Sequence, residues 1–394
     1  MRIGLDLAPQ FRVFGAFFIY SFGLGGIFPR LADIQHRLGV EQGTLGFALI
    51  GTACGTLISL TFAAPLLERI GFRVILILIP LLAALFALAS FATGPVMLFL
   101  LLLPVGITIG CIEIIINLEA DRTEHLLGRR LMNRSHGFWS LGFFTAGLVG
   151  AGFAQAGVSP QLDLMLMVPV VLVATLLVLG NFRPAPHRAT TQTAAPPRLA
   201  RPTPAILVLV AVTLSAMILE GAGSDWSAIY MRDEFHAAPF IIGISAGVGA
   251  MMQAFSRFFA DGFVERHSPV VVARFLLSVL GLGALVVFFA PSDVVALIGL
   301  GMLGIGTSAI FPLAMSAAAQ RTDRPAAINV AALAQTSFTA FLIGPPLLGA
   351  VAQDFGIRWA YGIALPLVVL SLLLAGALGR RPAAAAVAAP IPGE

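Results

Sequence analysis

A carboxylate and an amide stand four residues apart in the run Gly110-Cys111-Ile112-Glu113-Ile114-Ile115-Ile116-Asn117, the spacing that places Glu113 and Asn117 on one helix face. Their neighbours are apolar, and no basic residue is close in sequence. A carboxyl taken out of water favours its uncharged form, so this pair suits taking up and releasing a proton; the plainer role is a hydrogen bond across a bundle. A second polar face carries Asn133, His136 and Ser140 at spacings of three and four, with Trp139 beside them. Such a face can bond hydroxyls and stack a flat ring. His136 would be a proton relay or a packed interfacial residue. Glu220 lies in an apolar run, and Asp225 and Trp226 follow about a turn further on. Gln253, Asn329 and Gln335 add amides, which can also tie helices together. The candidate proton-coupling groups are therefore Glu113, Glu220 and His136. The candidate solute-binding set is Glu113, Asn117, Asn133, His136, Trp139, Ser140, Glu220, Gln253, Asn329 and Gln335.

A different chemistry is suggested where charges gather at the ends of apolar runs. Glu68, Arg69 and Arg73 follow one such run in Ala64-Pro65-Leu66-Leu67-Glu68-Arg69-Ile70-Gly71-Phe72-Arg73. In the second half of the chain, Arg257 and Asp261 lie four apart, followed by Glu265 and Arg266. Carboxylates and arginines placed so can pair across a mouth, hold it shut and release it; ordinary basic flanks of membrane helices are the alternative. No phosphate-binding glycine loop or paired-cysteine metal signature is present, and Cys54 and Cys111 both fall inside apolar runs. The chain is expected to be no enzyme and to hold no cofactor, with an ion gradient or a solute gradient as its energy source.

These residues sit in elements that only a bilayer can solvate. Hydrophobic residues make up 58% of the 394 and charged ones 11%, against about 25% charged in soluble domains. Covering hydrocarbon takes about 20 apolar residues per helix. Runs of that kind place twelve spans at 11–36, 43–67, 73–93, 96–120, 132–156, 163–181, 205–230, 240–263, 270–290, 294–317, 327–352 and 359–379. The interior prolines Pro104, Pro169, Pro312, Pro345, Pro346 and Pro366 mark expected kinks. All 23 basic residues are arginines, and 18 of them fall on the side that also holds both termini. The positive-inside rule makes that side cytoplasmic. Arg30, Arg37, Arg232 and Arg358 fall opposite, and the net charge of +4 reflects membrane orientation, with no nucleic-acid partner. Alanine-rich, all-arginine usage fits a high-GC bacterium, and the expected location is its inner membrane.

The stretch 182–204, rich in Pro, Ala, Thr and Arg, reads as a cytoplasmic linker between bundles at 1–181 and 205–381, with a disordered tail at 382–394. A shift of 197 residues lays Gly26 on Gly223, Gly46 on Gly243 and Glu68–Arg69 on Glu265–Arg266. A shift of 199 lays Arg122-Thr123-Glu124 on Arg321-Thr322-Asp323. The expected fold is all-α, with twelve transmembrane helices in two pseudo-symmetric six-helix bundles. The expected assembly is a monomer in the lipid bilayer, enclosing a path for a small-molecule solute and protons.

Two parallel halves joined by such a linker resemble the major facilitator superfamily, whose substrate site lies between the halves. The 64–73 loop is similar to that superfamily's loop signature, with Ala64 in place of its first glycine, Glu68 of its aspartate, and Phe72 where arginine is usual. The Gly-Cys-x-Glu-x-x-x-Asn run, the stretch 130–142 and Glu220-Gly221-Ala222-Gly223-Ser224-Asp225-Trp226-Ser227 resemble the fucose:proton symporter branch and its bacterial relatives. That resemblance implies proton coupling and sugar binding at Glu113, and uptake of a small polar solute by alternating access. The branch has a second acidic residue in span 1, four before a proline; here Gly25 precedes Pro29. An exporter of drug-like or amphipathic compounds is the alternative, and a non-transporting sensor a third reading.

Overall fold

The computed structural model describes residues 4–129, 131–186 and 200–379, apart from the side chains of 260–265 and 327. Among the described residues twelve helices are long and apolar enough to cross a membrane: Pro9–Leu38, Gln42–Phe62, Phe72–Ala89, Pro95–Leu127, Met132–Gln155, Pro160–Leu179, Pro204–Phe235, Pro239–Phe259, Pro269–Phe289, Asp293–Ala319, Ile328–Phe355 and Trp359–Leu378. They are spans 1 to 12 below. Most of the expected linker and tail lie outside the described residues, as do the side chains of Asp261 and Glu265.

Proline bends the spans less often than its count suggests. The helices run unbroken through Pro104, Pro169, Pro345 and Pro346. Breaks fall just before Pro29, Pro312 and Pro366, where span 1 turns 3₁₀ at Phe28–Arg30, span 10 parts at Ser308–Ala309 and span 12 at Ile363–Ala364. Proline lacks the N–H that would bond the carbonyl four residues back, and its ring crowds that turn. In span 7 the helix widens to a π turn at Ala222–Trp226. The shift of 197 residues carries Gly25–Pro29 onto this segment, so the two halves are irregular at matching places.

Lipid offers no hydrophobic drive for helices to associate, so close backbone packing must supply it. Span 5 lies along span 8: a Cβ on Gly243 would come within 2.6 Å of the Ala151 Cα, and one on Gly147 within 3.3 Å of the Gly247 Cα. Span 2 meets span 11 where a Cβ on Gly46 would run into the Pro345 carbonyl. These two seams join the bundles.

Within the first bundle, span 1 is fastened to span 6 by a buried ion pair. The Arg30 Nε stands 3.4 Å from Asp163 Oδ2, with side chains 2% and 1% exposed. Arg30 also donates to the Val158 carbonyl and approaches Asp33 at 3.4 Å. Arg30, which the sequence places on the side opposite the termini, is thus a buried tie. Removing one partner strands the other. Asp163→Asn should destabilise the protein by about 3–5 kcal/mol, read as loss of thermal stability in detergent, and an Arg30→Met/Asp163→Leu double variant should recover part of that loss.

Candidate functional site

A cavity of about 900 Å³ lies between the bundles. Its lining comes from spans 1, 2, 4, 5, 7, 8, 10 and 11 with Phe86 of span 3. Leu, Ile, Ala and Phe side chains make up most of its wall. Its ionisable lining groups are Tyr20, Glu113, Glu220 and Asp225, with no basic side chain among the described residues.

On the first-half wall, the regular helix of span 4 holds Glu113 and Asn117 one turn apart. Asn117 Nδ2 donates to Glu113 Oε2 at 2.8 Å and to the Glu113 carbonyl at 2.9 Å. The Tyr20 hydroxyl of span 1 also reaches the Glu113 carboxyl. Trp139 stacks on Phe143 at 5.6 Å, and Phe143 meets Phe28 at 5.0 Å, giving this wall an aromatic face.

Across the cavity a hydrogen-bonded chain links four spans. Gln253 Nε2 donates to Glu220 Oε1 at 2.9 Å and to Thr307 Oγ1 at 3.3 Å, and Ser140 Oγ donates to Gln253 Oε1 at 3.3 Å. Arg257 Nη1 meets Ser140 Oγ at 3.1 Å, while its Nε donates to the Ser308 carbonyl at 3.2 Å. Pro312 leaves that carbonyl without its helical N–H, and the guanidinium takes the missing donor's place. Arg257 is therefore held within the bundle, with Glu220 close enough to interact electrostatically.

The expected residues divide. Glu113, Asn117, Trp139, Glu220, Gln253 and Gln335 line the cavity. Ser140 is fully buried in the seam between the bundles. His136 packs edge-on against Phe17 at 5.1 Å, away from the cavity lining. Asn133 is exposed at the start of span 5. Asn329 is buried at the start of span 11, where it accepts from Arg324 at 2.9 Å and donates to Asp323 at 3.0 Å. That amide holds the Asp323 carboxyl below its usual range. Tyr20 and Ser224 are cavity groups that the spacing argument did not select, and Asp225, about a turn beyond Glu220, lines the cavity too.

The two ends of the molecule are unequal. At the end away from the termini, Arg232 donates to the Ala32 carbonyl and to Gln35 Oε1, both at 2.6 Å. Gln42 donates to Asp233 at 3.2 Å, the Gly43 amide to Gln353 at 3.1 Å, and the Phe240 amide to Gln155 at 3.1 Å. These bonds close that end across the bundles. At the other end Glu68, Arg69, Arg73 and Arg266 are exposed, and among the described residues none forms an ion pair.

The sequence profile of the Major Facilitator Superfamily matches residues 13–338 and again 208–393. The chain belongs to this superfamily. Curated relatives include an uncharacterized MFS-type transporter of Yersinia pestis, 26% identical with 93% of each chain covered. An uncharacterized transporter of Sinorhizobium fredii is 28% identical, covering 94% of this chain and 98% of the relative. Among solved structures the fold is similar to the nucleoside transporter NupG, with TM-score 0.68, 13% identity, and 94% and 98% of the two chains covered. A bacterial homolog of the human lysosomal transporter Spinster, inward-facing and unoccupied, gives TM-score 0.73 at 14% identity over 96% and 100%. The E. coli fucose:proton symporter FucP gives 0.62 at 18% over 95% and 99%.

The departure at Phe72 from the superfamily's loop signature and that at Gly25 from the fucose:proton symporter branch have local causes. Phe72 is buried with the Arg122 guanidinium 4.5 Å above its ring, so the loop after span 2 is fixed to span 4 by a cation–π contact. At Gly25 a Cβ would stand 3.0 Å from the Ala146 Cβ and from the Phe143 carbonyl oxygen. Spans 1 and 5 leave no room there for an acidic side chain.

Arg232 is the most heavily bonded group of the closed end. Its replacement by alanine should expose the cavity floor from that side more often. In a background lacking Cys54 and Cys111, a cysteine introduced at Leu348 should react severalfold faster with an impermeant maleimide once Arg232→Ala is added.

Proposed function

We propose that this membrane transporter moves its solute by alternating access coupled to protons, with Glu113 as the proton-carrying group. The observation that carries the reading is the Glu113 carboxyl on the cavity wall, bonded to Asn117 and close to the Tyr20 hydroxyl with no basic side chain of the described residues lining that cavity. An ionised carboxylate there pays a large solvation cost unless a cation or proton joins it. A proton that binds while the cavity is open to one side and leaves when it opens to the other converts a gradient into solute movement. Glu220 is a weaker candidate because Gln253 and Arg257 already answer its charge. His136 lacks the cavity contact a relay needs.

The termini end, richest in arginine, belongs on the cytoplasmic side of a bacterial inner membrane under the positive-inside rule. Two solute classes fit parts of the cavity. Asn117, Gln253, Gln335 and Ser224, with Trp139 as a stacking surface, suit a hydroxylated solute such as a sugar taken up with a proton. The predominance of Leu, Ile and Phe around them favours the second reading, an amphipathic solute with a large apolar body.

Proteoliposomes with an imposed pH gradient, offered neutral sugars and organic amphiphiles in parallel, test the coupling. One proton per solute supports about tenfold accumulation per pH unit. Glu113→Gln should lose gradient-driven accumulation while still exchanging labelled solute across the membrane. If Glu113→Gln still concentrates its solute, the coupling role is wrong.

A further inference from the structure

The floor of the cavity holds a carboxylate that no basic side chain of the described residues pairs with. Asp225 sits in the π turn at Ala222–Trp226, just inside the bonds that close the far end. Ser224 Oγ stands 3.0 Å from Asp225 Oδ1, but the same hydroxyl is 3.1 Å from the Gly221 carbonyl. One hydroxyl has one hydrogen, so even this bond is shared. Tyr361, the nearby phenol, gives its hydrogen to the Ala222 carbonyl at 3.2 Å. The other acids of the cavity are better served, Glu113 by Asn117 and Tyr20, Glu220 by Gln253 with Arg257 close by.

The wall of the same cavity is largely of the opposite character. Phe28, Leu31, Phe341 and Leu348 line the cavity with Asp225. In the half-repeat Phe28 occupies the place matched to Asp225, so the two irregular turns present an aromatic ring from one half and a carboxylate from the other. A positive centre beside the Asp225 carboxylate would gain an ion pair out of bulk water, and the aromatic rings of the same cavity offer it cation–π faces. An anion would meet only like charge.

We propose that Asp225 is the charge-selecting residue of the cavity and that the solute it recognises is an amphipathic organic cation. The positive centre lies against the Asp225 carboxylate, and the apolar body fills the aromatic and aliphatic space above it. Glu113 is then left free for the proton. This assignment rests on the cavity being the transport path, but not on the coupling role of Glu113.

The test uses the purified full-length protein and two probes of nearly identical shape and opposite charge, tetraphenylphosphonium and tetraphenylborate. Binding is read by quenching of intrinsic tryptophan fluorescence. Wild-type protein should bind the phosphonium at least about tenfold more tightly than the borate. Asp225→Asn should remove most of that preference, Asp225→Glu should keep part of it, and Asp354→Asn, an exposed acid outside the cavity, should leave it intact. Equal affinity of the two probes for wild-type protein overturns the proposal and needs no variant that must fold. A preference that survives Asp225→Asn, or that disappears with Glu113→Gln instead, also overturns it. Because binding is measured without a gradient, failure of proton coupling in vesicles leaves this result standing, and the reverse holds as well.

Discussion

A charge or an unpaired peptide group inside hydrocarbon costs several kcal/mol, and the interior of this protein is arranged by where that cost is met. It is met at Arg30, which ties span 1 to span 6 through Asp163. It is met at Arg257, which supplies the donor that Pro312 denies to Ser308 and joins the two bundles through Ser140. It is left unmet by protein cations at Glu113 and Asp225, both on the cavity wall. Buried charges of the first kind hold the architecture; those of the second kind leave a place for something that arrives from outside.

The unequal ends give this arrangement a direction. Bonds from Arg232, Gln42, Gly43 and Phe240 close the molecule away from its termini, while the charged loop at 64–73 stands exposed at the other end. The glycine seams between spans 5 and 8 and between spans 2 and 11 bring the backbones of the two bundles into close contact. Segments of this kind, irregular at matching places in spans 1 and 7, are where a membrane protein can place polar groups at depth.

Much of the fold is legible in the sequence because bilayer thickness turns it into a count of apolar residues. All twelve runs recur as helices, and only the ends move: span 4 continues to Leu127 and span 7 to Phe235. The Glu113–Asn117 pair is equally legible, since four residues set both side chains on one face whatever surrounds them. What spacing cannot say is which neighbour that face meets. Asn329 and His136 have the right residue type at the right period, yet one pairs with Arg324 and the other packs on Phe17. Tyr20 is a lone tyrosine among phenylalanines in the sequence, and only its placement opposite span 4 brings it to Glu113. The far-end bonds of Arg232 join residues some 200 positions apart and depend on how the bundles meet.

The central claim is that Glu113 holds a proton in exchange with one side of the membrane at a time. Infrared difference spectroscopy between acid and alkaline pH on the purified protein reads that proton directly. The account predicts a carboxylic-acid C=O band that is absent in Glu113→Gln and altered when Asn117→Ala removes its hydrogen bond. A spectrum unchanged by Glu113→Gln would contradict it.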